Sequence, residues 1–127
     1  MSDADDGSIA DHESLLRRIR PDQVVDDENL GTSRPSSAAF KDPNLSVDAE
    51  HILISNGVDW RFSLQGHSGY SLVKFEAGVA RGLKLAVIHK PIVPHNLAHT
   101  EVVGKKTQGI ANSLVSASQW VHLEPKP

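Results

Sequence analysis

Cysteine does not occur in this chain. Disulfide scaffolds, cysteine-ligated zinc sites, thiol catalysis and iron–sulfur clusters are excluded with it. Long apolar runs are also missing. The longest, Leu85–Ile88, falls far short of the roughly 20 residues that cross a bilayer as a helix, so no membrane association is expected. Aromatic residues are few: three Phe, two Trp and one Tyr. A core of this size needs most of them, which leaves too few for a base-stacking platform. Basic charge is not in excess either, with 13 Lys and Arg against 16 Asp and Glu, so nucleic acid is not an expected partner.

The 127 residues suit one domain, large enough to fold without a disulfide or structural metal. Charge is divided unevenly. Residues 1–50 carry twelve acids and five bases, whereas residues 51–127 carry four acids and eight bases. Residues 1–11 are acidic and nearly free of large apolar groups, so they read as a disordered leader before a single domain over 12–127. The acidic start has no apolar core and is not a secretory signal. The expected location is cytoplasmic.

Hydrophobic periodicity predicts the elements. Leu15, Leu16 and Ile19 fit a short helix capped by Asp11 and fit a strand nearly as well. Gln23–Val25 predicts a brief strand, and residues 31–46, dense in Gly, Pro, Ser and Asn, predict irregular chain. Ser46 resembles an N-cap, with Asp48 and Glu50 in the first turn, so a helix is expected over Val47–Ser55. Trp60, Phe62 and Leu64 alternate with polar residues as in a strand. Tyr70–Phe75, Leu83–Ile88 and His99–Val103 predict further strands, with Phe75–Arg81 open between helix and strand. Thr107 caps a last helix whose apolar stripe is Ile110, Leu114, Ala117 and Val121. The expected fold class is α+β: a small antiparallel or mixed sheet with two or three helices packed on one face.

The segment His89–Thr107 concentrates the chemistry. His89, His95 and His99 make a metal site conceivable, but no His-Glu-x-x-His is present, and the His-x-Glu of nucleobase deaminases requires a Cys pair that is absent. No metal and no cofactor is therefore assigned. Gly104, Lys105, Lys106 and Thr107 stand before a helix, where main-chain N–H groups, the helix dipole and two ammonium groups favour an anion. This is not a Walker A loop. The loop Arg34–Ser37 offers a guanidinium and hydroxyls.

Joined to the histidine segment, that loop suggests a catalytic set: His99 as acid–base, Glu101 orienting it, Arg34 and Lys105 clamping a phosphate and Ser36 positioning the substrate. The plainer alternatives are that Arg34 pairs with the acids of 26–28 and that Ser36 caps a turn. The run Arg17-Arg18-x-Arg20 reads as a solvated face bridged to nearby acids. The expected function is a small accessory or interaction protein with an anion- or nucleotide-binding loop, partnered by another protein or by itself. A small enzyme acting on a nucleotide or phosphate ester is the alternative, and a histidine-based metal protein is the second.

Overall fold

The computed structural model describes residues 5–29 and 31–125. Its frame is a six-stranded sheet in which every neighbouring pair is antiparallel. The strands are β1 (Ser14–Ile19), β4 (Asn44–Ala49), β5 (Ser71–Glu76), β6 (Ala86–His89), β7 (His99–Val103) and β8 (Gln119–His122), in the order β6-β7-β4-β1-β5-β8. A separate hairpin pairs β2 (Val24–Asp27) with β3 (Thr32–Pro35), so residues 31–46 are more regular than their composition predicts. Among the described residues three α-helices accompany the sheet: α1 (Glu50–Ser55), α2 (Ala77–Gly82) and α3 (Gln108–Ala117). The mix of sheet and helix is α+β, dominated by the sheet.

Three elements depart from expectation for identifiable reasons. Residues 44–49 are a strand because Leu45, Val47 and Ala49 alternate and are all buried on one face. The helix then starts at Glu50, and Ser46 does not cap it. A carboxylate just before β1 does, since the His51 N–H donates to Glu13 Oε1 at 2.8 Å and the His51 ring pairs with Glu13 Oε2. Trp60–Leu64 is a 3-10 turn rather than a strand. Its start is held by Asp59, whose Oδ1 accepts from the Arg61 N–H at 3.0 Å. The last helix ends before Val121, because Ser118 turns extended and its hydroxyl donates to the Leu114 carbonyl at 2.7 Å. Thr107 caps α3 as predicted, its Oγ1 accepting from Ile110 N at 3.2 Å.

Helices cover both faces of the sheet, not one. On the first face Leu15 and Ile19 of β1, Val47 of β4 and Val73 and Phe75 of β5 pack against Ala77 and Ala80 of α2 and Ala111 and Leu114 of α3. Phe40 lies at the centre of this layer, edge-on to Phe75 with ring centroids 6.1 Å apart. On the second face Leu16 and Leu72 pack against Leu53 of α1 and Phe62 and Leu64 of the 3-10 turn. Leu15 and Leu16 serve opposite layers because successive strand residues point to opposite faces.

Residues 5–11 of the expected leader are held against the domain, and residues 1–4 lie outside the described residues. Ile9 enters the first core. Asp6 N donates to the Val87 carbonyl at 2.9 Å, while Asp5 and Asp6 carboxylates accept from Val87 N and His89 N of β6 at 2.7 and 3.1 Å. The segment therefore covers a sheet edge that would otherwise present unpaired main-chain groups.

Candidate functional site

On the second face the side chains of β1, β4 and β7 change from apolar to polar. Asp48 lies opposite Leu16 on one side and His99 on the other, with Ser46 one step along β4 on the same face. Arg18, Ser46, Asp48 and His99 line a cleft of about 280 Å³, closed on one side by Ile92 and Asn96 of the loop that precedes β7. Ser46 and Asp48 come from one strand, and Arg18 and His99 from the strands on either side of it. Strand pairing brings it together.

His99 is fixed at both ring nitrogens. Nδ1 lies 2.9 Å from the Lys90 carbonyl and Nε2 lies 3.3 Å from Ser46 Oγ. A carbonyl can only accept, so Nδ1 carries the hydrogen and Nε2 offers its lone pair to the serine hydroxyl. The main-chain bond from Lys90 N to the His99 carbonyl, 2.9 Å, holds the same two residues together from the other side. A hydroxyl, an imidazole acceptor and a third group that sets the tautomer form the arrangement that activates a nucleophile.

Asp48 supports the cleft. Only 4% exposed, its carboxylate accepts from Ser63 Oγ at 2.6 Å and from Asn96 Nδ2 at 2.9 Å. It thus ties the 3-10 turn and the loop before β7 to the same strand. Arg18 donates to the Ser63 carbonyl at 3.3 Å, and Arg17, on the opposite face, donates to the Ser46 carbonyl at 3.1 Å. The expected solvated arginine face is therefore anchored in part to main-chain carbonyls, while Arg20 pairs with a nearby acid, Asp22, at 3.1 Å. His67, in the turn before β5, has its pKa lowered first by burial and next by Arg18, with Asp48 opposing.

The other expected site residues lie elsewhere or are engaged. Glu101 shares the His99 face but pairs with Lys90 at 3.3 Å. Arg34 pairs with Asp27 at 3.1 Å and lines a different cleft, between the β2–β3 hairpin and α3. Ser36 caps the 3-10 turn Ser37–Phe40 by accepting from Ala38 N at 3.2 Å. The set His99, Glu101, Arg34 and Ser36 thus does not line one cleft.

In the expected anion loop, Gly104 N donates to the Pro43 carbonyl at 2.9 Å. Lys106 turns inward and donates to the Val102 and Gly104 carbonyls at 2.8 and 2.9 Å. Thr107 is engaged as the α3 cap, and Lys105 alone of the four is an exposed cation. Gly104 adopts a φ of +138°, and a Cβ there would meet Leu85 Cδ2 at 2.9 Å, so the glycine serves backbone geometry.

His89 and His99 do not converge. His89 lies opposite Thr100 on the other face of β7, and its Nε2 is 2.7 Å from the Leu97 carbonyl. Among the described residues, no group of three His, Asp or Glu side chains can hold a metal ion, and no helix is long and apolar enough to cross a membrane.

Arg18, Ser46, Asp48 and Asn96 are the residues that sequence patterns missed. Ser46 and Asp48 carried a false helix-start signal, and alternation of Leu45, Val47 and Ala49 is what places them on one strand face. No protein-family model, curated protein or solved structure matches this chain, so the geometry of its clefts is the ground for assigning a function.

Proposed function

We propose that this protein is a small ester hydrolase in which Ser46 is the nucleophile and His99 its base. The observation that supports this most is the Ser46 Oγ–His99 Nε2 contact of 3.3 Å, with Nδ1 held on the Lys90 carbonyl. Ser46 Oγ attacks the ester carbonyl carbon while its proton passes to Nε2. The carbon–oxygen bond to the alcohol then breaks, and the Nε2 proton goes to the departing oxygen. Water, deprotonated by the same nitrogen, releases the acid and restores Ser46. Arg18 supplies donors for charge that develops on the attacked group. Arg18 and Asp48 balance in charge, which favours a neutral carboxylic ester. A phosphate ester or nucleotide is the second substrate class for the same pair.

A fluorophosphonate probe tests the nucleophile, with mass spectrometry to locate the adduct. One adduct on Ser46 is expected, together with turnover of p-nitrophenyl acetate. His99→Gln should slow that turnover about 10²–10⁴-fold, Ser46→Ala should abolish both signals, and Arg34→Ala should leave them unchanged. An unlabelled wild type, or an adduct that survives Ser46→Ala, sinks the proposal. Bis(p-nitrophenyl) phosphate, assayed alongside, ranks the two substrate classes.

A second reading, an accessory protein that associates with itself or another chain, is favoured by the apolar side chains of Ile92, Val93 and Leu97 in one exposed loop. Val93 is 73% exposed. Sedimentation velocity over a wide concentration range should then show association that Val93→Ser weakens. A single monomeric species throughout argues against self-association.

A further inference from the structure

A cleft of about 590 Å³ lies on the far side of the sheet from Ser46, between the β2–β3 hairpin and α3. That is within the roughly 300–1,000 Å³ of small-molecule sites. Three features define what it can hold. Gln108, Asn112 and Ser116 line it from successive turns of α3, because residues four apart share one face of a helix. The apolar residues Ala111 and Leu114 are buried in the core, so this polar row lies outside it. Gln108 is engaged with Lys41, Ser37 and Asn112, which leaves the Asn112 amide N–H groups and the Ser116 hydroxyl facing the cleft.

Trp120 contributes the second feature. Its half-buried indole lines the cleft, while Nε1 donates to the Ser33 carbonyl at 3.1 Å. The polar handle of the indole is therefore engaged, and carbon surface is what it has left to offer a ligand. The third feature is charge balance. Arg34 and Asp27 both line the cleft and pair at 3.1 Å, so the one guanidinium faces its own carboxylate.

These features exclude most ligand classes. An inorganic phosphate or a nucleotide triphosphate would meet a cation already paired. A flat hydrocarbon would lose water from a wall of amides and hydroxyls without replacing its hydrogen bonds. A neutral ring with hydroxyls around its rim and C–H groups on its face satisfies both surfaces, the rim against amides and the ion pair, the face against the indole. We propose that the cleft between the β2–β3 hairpin and α3 is a binding site for a neutral sugar ring. This site is independent of Ser46 and His99 and does not depend on the hydrolase assignment.

Saturation-transfer NMR on the full chain tests it, with the methyl pyranosides of glucose, galactose, mannose and N-acetylglucosamine as probes. Adenosine and inorganic phosphate serve as comparators. At least one pyranoside should receive saturation at millimolar concentration, more strongly than either comparator. Asn112 is an exposed helix residue, so Asn112→Leu retains the fold, which circular dichroism verifies. That variant should weaken binding at least about tenfold, the effect of about 1.4 kcal/mol of lost hydrogen bonding, and Ser46→Ala should bind as wild type. Absence of transfer to all four sugars overturns the proposal, as does stronger transfer to adenosine or undiminished binding by Asn112→Leu.

Discussion

Lys106 shows how a single side chain can carry one meaning in a sequence and another in a fold. Beside Lys105 and ahead of a helix it resembles an anion ligand. In the structure it is 8% exposed and completes the end of β7 by donating to the Val102 and Gly104 carbonyls. Burial is the main cause that lowers its pKa to about 8. Asp42 opposes that effect and Arg17 adds to it. The consequence for stability has a definite sign. Below about pH 8 both folded and unfolded chains carry the proton, and the folded state bears the full cost of a desolvated ammonium. Between about 8 and 10.5 the unfolded chain holds a proton that the folded chain has released, so stability rises with pH. Urea unfolding of the wild type and Lys106→Met across this window should diverge, with the wild type gaining on the order of 1–3 kcal/mol relative to the variant. Parallel curves would mean that Lys106 keeps its proton in the fold.

Among the elements, what was legible in the sequence depended on whether local signals agreed with pairing. Thr107 followed by Ile110 and Leu114 combines a cap with helical spacing, and α3 forms there with Thr107 Oγ1 on Ile110 N. His99–Val103 alternates in burial and is β7, and the apolar residues of Leu72–Phe75, buried on both faces, lie in β5. Residues 46–55 failed because two rules conflicted. Ser46, Asp48 and Glu50 copy the composition of a helix start, while Leu45, Val47 and Ala49 copy a strand. Burial decided for the strand, and the distant carboxylate of Glu13 replaced the missing cap. The candidate site was half legible for the same reason. His99 stands out by residue type, but Ser46 is 53 residues away and meets it through the β4–β7 register, which no local pattern specifies. Residues 5–11 show a similar limit, since an acidic segment that looks solvated is ordered by the edge of β6 and by Arg81, which pairs with Asp5 and Asp11 at 2.8 Å each.

For the molecule as a whole, the two layers on the sheet are unequal, and that inequality bears on the Ser46–His99 cleft. Among the described residues the first core joins seventeen buried side chains, including Phe40, whereas the second joins Leu16, Leu53, Leu72 and Ala98. Burial contributes roughly 1.5–3 kcal/mol for each large apolar side chain, so the second layer has far less holding it to the sheet. Asp48 adds to this layer by pinning Ser63 and Asn96, yet α1 is only six residues long and Ile54 at its end is exposed. Short helices have little stability apart from their packing. The layer tied to the cleft through Asp48 and Ser63 should therefore open without unfolding the sheet. Native-state hydrogen exchange is expected to show the amides of α1 and Trp60–Leu64 exchanging through a sub-global opening, at a free energy clearly below that of β1 and β5. Asp48→Asn, which keeps the size but weakens the charged acceptor, should lower the opening free energy of both segments together by about 1–3 kcal/mol, with a smaller effect on β5. Equal protection across both layers, or an Asp48→Asn effect spread evenly over the molecule, would show one cooperative unit.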